Sequence, residues 1–229
     1  FFFYCYGDLF DLLSFLSRRA SDLPWCYIGW SNLARAMEQR PDHPFTVEWH
    51  PFQLNPDMPP EGMDRRAYLE GKFGGAEGAA QAYAPVVEKS EEAGLKIHLD
   101  GITRTPNTLN AHRLIHWAGI EGRQTPAVLS LFRAYFVEGR DIGDPETLTD
   151  LAVGIGLDRE MIARLYDGDS DAQSIRDRDA HARSRGVQAV PTFIIASQHA
   201  VPGAQPTEQW VRIIDDLTEQ LAKVQEAEA

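Results

Sequence analysis

The sequence predicts an α/β protein in which a small sheet, built from the two ends of the chain, is interrupted by a large all-helical insertion. Three observations carry this reading. Runs with strand character occur only toward the ends, over residues 1–6, 45–52, 190–196 and 198–201. Between residues 64 and 185 nearly every segment has helical spacing, with Gly or Pro at the breaks. Finally, Leu23-Pro24-Trp25-Cys26 near one end is answered by Val190-Pro191-Thr192-Phe193 near the other, and both segments carry chemistry.

Residues 1–6 are aromatic and fit a buried strand, and residues 8–19 place Leu9, Leu12, Leu13 and Leu16 at helical spacing. Over 26–39, Ile28, Leu33, Ala36 and Met37 share one side of a helix. Arg40-Pro41-Asp42-His43-Pro44 ends it, because proline has no N–H to donate. In 45–52, Phe45, Val47 and Trp49 alternate with Thr46, Glu48 and His50, as in a strand, and 53–60 is a proline-punctuated loop. Helices are predicted over 64–73, 77–93, 108–119, 125–138, 145–154, 158–166 and 169–185. Asp144-Pro145 and Leu157-Asp158 are start signals, since Asp accepts from free amides and Pro suits the first turn. A strand over 190–196 and a short partner over 198–201 lead to a last helix over 207–223. That helix has Trp210, Ile214, Leu217 and Leu221 on one face, and 225–229 is expected to fray. The division is residues 1–60 with 186–229 for the sheet domain and 61–185 for the helical insertion.

Cys26 is the chemical centre. A C-x-x-C pair at a helix start works because helix amides and the dipole stabilise a thiolate on the first cysteine. That thiolate attacks a disulfide, and the second cysteine resolves the mixed disulfide. Here the first position is Leu23, which can do neither, so only Cys26 remains. Its plain alternative is a buried free cysteine acting as a small apolar side chain. Pro191 is a candidate cis-proline, with a proline at a strand's first residue as the alternative.

Composition narrows the classes further. The chain has 229 residues, 43% of them hydrophobic, and a net charge of −12, which argues against sequence-independent nucleic-acid binding. No apolar stretch reaches the roughly 20 residues that cross a bilayer, so no membrane partner is expected. Residues 1–15 show neither a basic leader nor a small-residue cleavage site, and the expected location is cytoplasmic. The two cysteines, Cys5 and Cys26, make no disulfide framework. The histidines are scattered, with no spacing that suggests a zinc site, and no metal is expected.

Several segments in this order resemble one family: Pro24-Trp25-Cys26-Tyr27-Ile28-Gly29, Pro51-Phe52-Gln53-Leu54-Asn55-Pro56, Thr105-Pro106-Asn107-Thr108, Ala111-His112-Arg113-Leu114, and Gly186 through Phe193. The chain resembles the DsbA-like oxidoreductases of the FrnE type, relatives of the 2-hydroxychromene-2-carboxylate isomerases and the kappa-class glutathione transferases. The resemblance runs from about residue 24 to 221. It implies a thioredoxin-like fold interrupted by a large all-helical insertion, with Cys26 at the resolving position of C-P-W-C and Pro191 at the cis-proline. It implies further that the cis bond exposes the backbone of Val190 to an extended substrate. Pro24, Trp25, Val190, Pro191, Thr192, Phe52, Asn55 and Asn107 are then candidate substrate contacts. The plain alternatives are Asn55 as a turn residue, Asn107 as a helix cap and Phe52 as core. His112 reads as a satisfied, half-buried histidine.

Family members have one short strand running straight into the motif. Residues 1–23 do not fit that pattern and are read as a displaced reading frame or an assembly artefact, which the DNA sequence across Leu23 decides. The expected function is a thiol-disulfide oxidoreductase of protein or small-molecule disulfides, impaired at Leu23. Alternatives are a glutathione-dependent isomerase or transferase, and a non-catalytic peptide-binding protein. No permanent cofactor is expected, glutathione is a candidate co-substrate, and a homodimer is compatible with the sequence.

Overall fold

The computed structural model describes residues 2–5, 24–196 and 199–228. The helix read over 8–19 lies outside the described residues. The rest is an α/β protein with a helical insertion, in two compact units: residues 1–52 with 186–229, and residues 53–185. The chain passes between units after residue 52, where the sequence reading placed the boundary at 60. Gln53 is held in the helical unit by its N–H, which donates to Asp179 Oδ1 at 2.8 Å, and by its carbonyl, which accepts from Arg183.

The first unit has a four-stranded sheet in the order β2-β1-β5-β6, made of β1 (Phe2–Cys5), β2 (Val47–His50), β5 (Thr192–Ile195) and β6 (His199–Pro202). Trp49 and Phe193 both register with residue 3, so they stand in one row on one face of the sheet. Two helices cover that face and pack on each other: α1 (Pro24–Gln39) and α9 (Thr207–Glu228). Trp49 meets Trp30 of α1 with ring centroids 5.1 Å apart, and Phe193 meets Trp210 of α9 edge-on at 4.6 Å. Burial of each ring contributes about 1.5–3 kcal/mol. Arg40, just past α1, grips Asp215 of α9 through two nitrogens at 2.6 and 2.9 Å. The helix α9 continues to Glu228, so the expected fraying from 225 is not seen; Gln225-Glu226-Ala227-Glu228 contains only good helix formers.

The direction of β1 is a finding that sequence pattern does not carry. It pairs parallel to β5 and antiparallel to β2, with Phe2 level with Thr192 and Cys5 level with Ile195. Pro191 precedes Thr192, so β1 ends at the opposite edge of the sheet from Pro191. A strand that delivered the chain directly to a turn beside Pro191 would have to run the other way.

The second unit is formed by α2 (Arg65–Phe73), α3 (Ala76–Glu92), α4 (Leu109–Ile120), α5 (Gln124–Phe136), α6 (Pro145–Gly154), α7 (Arg159–Tyr166) and α8 (Ala172–Ser184). Asp144 and Asp158 cap α6 and α7, accepting from Thr147 N–H at 2.9 Å and Met161 N–H at 2.8 Å. The start of α8 falls at Ala172 and not 169. Asp171 takes a left-handed conformation (φ 61°), and its carboxylate accepts from Trp117 Nε1 at 2.8 Å. A two-residue ladder, β3 (Met63–Asp64) with β4 (Arg104–Thr105), was not legible, since two residues have no period. Gly62 before it sits at φ 70°, and a Cβ there would lie 2.5 Å from Thr105 O.

Arg113 on α4 ties this unit together from inside, at 3% exposure. It donates to the carbonyls of Ser170 (2.8 Å), Leu165 (2.5 Å) and Gly168 (2.6 Å) and to Asn110 Oδ1 (2.9 Å), and it stacks over Trp117 and Tyr166. Its removal would strand buried carbonyls. Arg113→Ala should therefore cost about 3 kcal/mol or more in urea unfolding. The exposed Arg66, paired with Glu70, is the control, and Arg66→Ala should leave the transition midpoint in place. Equal effects of the two changes would contradict this account.

Candidate thiol site

Pro24 starts α1, where its fixed φ suits the first turn and its missing N–H costs nothing. Cys26 stands in that first turn, near the free amides of the helix start. Cys26, Leu33 and Ala36 are all fully buried, and Gly29 lies on the same stripe at three- and four-residue spacing. Gly29 is where α1 touches the β5 segment. A Cβ on it would lie 3.1 Å from Pro191 Cγ, 3.3 Å from Phe193 Cζ and 3.4 Å from Ala204 Cα. A side chain there would press on these atoms, and glycine avoids that crowding. One turn further, Asn32 Nδ2 donates to Gln205 O at 2.9 Å, fixing the rotation of the helix.

Opposite this face, the Val190–Pro191 peptide is cis. Pro191 O accepts from Gly203 N–H at 2.8 Å, and Thr192 Oγ1 donates to Ala189 O at 2.7 Å, so the segment is held from both sides. The buried stripe of α1 thus places Cys26 one turn before the Gly29–Pro191 contact. Pro24, Pro191 and Thr192 are buried and Trp25 is half-buried. Val190 is fully buried.

The remaining candidates have their own local partners. Phe52 is buried at 2% exposure in the sheet unit, two residues past β2. In the helical unit, Asn55 Oδ1 accepts from Tyr68 Oη at 3.0 Å, and its carbonyl accepts from Met58 N–H. Asn107 Nδ2 donates to Met58 O at 2.7 Å while its Oδ1 accepts from Leu109 N–H at 3.0 Å. Both asparagines therefore knit the 55–58 loop to α2 and to the start of α4. His112 is more deeply buried than expected, at 3% exposure. Among the described residues no three His, Cys, Asp or Glu side chains gather as a metal site, and no helix is long and apolar enough to cross a membrane. Sequence reasoning missed Gly29; its signal was a glycine inside a helix, one turn after the candidate cysteine.

The model of the DSBA-like thioredoxin domain family matches residues 23–215. YwbO of Bacillus subtilis (strain 168), an uncharacterized protein, is 26% identical over 198 residues, which is 84% of this chain and 91% of that protein. A probable DsbA oxidoreductase from Streptomyces coelicolor has a crystal structure similar to this one, with a TM-score of 0.75 at 26% identity. The match covers 95% of this chain and 90% of that one. The 2-hydroxychromene-2-carboxylate isomerase shares the fold, with a TM-score of 0.62 at 15% identity over 100% of both chains.

The seat of α1 is testable. Gly29→Val adds three carbons between Pro191, Phe193 and the Ala204 backbone, and should destabilise the protein by about 1–3 kcal/mol, seen as a lower melting temperature. An unchanged melting temperature would contradict the contact.

Proposed function

The chain belongs to the DSBA-like thioredoxin domain family, and we propose that it is a thiol-disulfide oxidoreductase of the FrnE type. Its substrates are disulfides of proteins or small molecules, and its activity is impaired because Leu23 stands where the nucleophilic cysteine belongs. The observation that supports this most is the seating of Gly29 on Pro191, which sets the first turn of α1, with Cys26, beside the β5 segment. With one thiol, the accessible reaction is a single exchange. The Cys26 thiolate attacks one sulfur of a disulfide, a new sulfur–sulfur bond forms, and the other sulfur leaves as a thiolate. Glutathione disulfide is a suitable small partner, giving Cys26 joined to glutathione and one released glutathione thiolate. Release of the product then needs a second external thiol, because residue 23 cannot resolve it. Burial of Cys26 opposes even this first step. Pro24, Trp25, Val190, Pro191, Thr192, Phe52, Asn55 and Asn107 stay as proposed substrate contacts, and contact at Val190 requires that it be uncovered. The acidic charge and the cysteine usage support a cytoplasmic location without nucleic-acid or membrane partners.

A second reading, a non-catalytic peptide-binding protein, is favoured by the same Leu23. A glutathione-dependent isomerase or transferase is disfavoured, since leucine offers a bound thiolate no hydrogen bond. Insulin reduction with dithiothreitol separates the first two readings. The chain as it stands should show background activity, and Leu23→Cys should raise it at least about a hundredfold, the scale of restoring a missing nucleophile. A Leu23→Cys variant with native circular dichroism and background activity would favour the binding reading. Full activity without the substitution would overturn the impairment.

A further inference from the structure

We propose that the helical unit carries a second binding site, for a small organic carboxylate with an apolar body. The site lies between α2, α3 and residues 97–100, and Arg65 takes the carboxylate. A cavity of about 700 Å³ opens there, its walls including Arg65 and Leu69 of α2, Tyr83 and Val87 of α3, and Ile97. Small-molecule sites are roughly 300–1,000 Å³ and mostly apolar, with few polar groups that set orientation.

One feature above all marks this as a site. The wall from α3 is made largely of Ala79, Ala80 and Ala84, small side chains of which Ala80 and Ala84 are exposed, so the space is open to solvent along α3. The marking feature is Arg65, a buried cation at 8% exposure that lines this space. Its Nη1 donates to Tyr135 Oη at 3.2 Å, and its guanidinium lies over the Tyr83 ring at 5.3 Å. Neither partner is an anion: burial pushes the Tyr135 phenol up to about 12, so it stays neutral, and its Oη in turn donates to Arg104 O. Among the described residues Arg65 pairs with no carboxylate. A buried charge without a counter-ion is costly, and a guanidinium fork with N–H groups to spare matches a planar carboxylate.

The apolar wall decides the remainder of the ligand. One arginine cannot balance a doubly charged phosphate, whereas alanine, leucine and valine surfaces suit an alkyl or aryl chain. Asp100 also lines the cavity but is itself exposed, and His98 beside it is turned to Val137 O at 3.2 Å. Both are exposed side chains on the open side of the cavity.

Isothermal titration of the full chain with decanoate and with decanol tests the proposal. Decanoate should bind at least about tenfold more tightly than decanol, the scale of one charge-assisted pair. Arg65→Met should bring decanoate down to the level of decanol. Because Arg65 also holds Tyr135, that variant is judged only if its circular dichroism is native. Ala80→Trp, on an exposed position of α3, puts an indole into the cavity and leaves Arg65 itself unchanged. It should abolish decanoate binding while keeping the melting temperature. Equal affinity for the two probes, unchanged binding in Ala80→Trp, or no decanoate binding at millimolar concentration would each overturn the proposal.

Discussion

The sheet unit depends on one close approach. The helix α1 lies against the segment that opens β5 with glycine at residue 29, where a Cβ would crowd Pro191, Phe193 and Ala204. The other ties of this helix follow from that seat. Asn32 reaches the Gln205 carbonyl, Trp30 meets Trp49, and Arg40 closes on Asp215 at the far end. Non-directional burial alone would let the helix slide or turn; the glycine contact and the two polar ties set its register.

The chemistry inherits this geometry and its gaps. Cys26 occupies a helix start, the ordinary place for an acidic thiol, yet it is fully buried and has no cysteine three residues before it. The strand in the centre of the sheet ends at the edge away from Pro191. The helix start and the cis-proline segment of the thioredoxin-like domain are therefore in place, while β1 runs away from Pro191. That combination is why family membership is secure while catalytic power is a separate matter.

Much of this was legible because local signals agreed with the final packing. The Asp-Pro pair at 144–145 starts α6 where expected, and Asp158 starts α7 through the same carboxylate-to-amide bond. The cis-proline segment and the α1 motif were readable as residues, though not their contact. What escaped has physical causes. Alternation of side chains says which face a strand buries but not which way it runs, so the reversal of β1 could not be read. The start of α8 moved because Trp117, far away in sequence, claims the Asp171 carboxylate. The partners of Asn55 and Asn107, Tyr68 and Met58, could not be read, because they depend on how the 55–58 loop folds. Arg113 has the look of a surface residue, and only three converging carbonyls make it internal.

The most direct test of the central claim is a covalent one. With Cys5 and Cys26 first changed to serine, cysteines are placed by Gly29→Cys and Ala204→Cys, since a Cβ at residue 29 would lie 3.4 Å from Ala204 Cα, close enough for a disulfide to be tried. Mild oxidation of the native protein should join them within one chain, read by intact mass and by faster migration on a non-reducing gel. Two free thiols after oxidation, in a protein with native circular dichroism, would mean that α1 does not rest against the Pro191 segment.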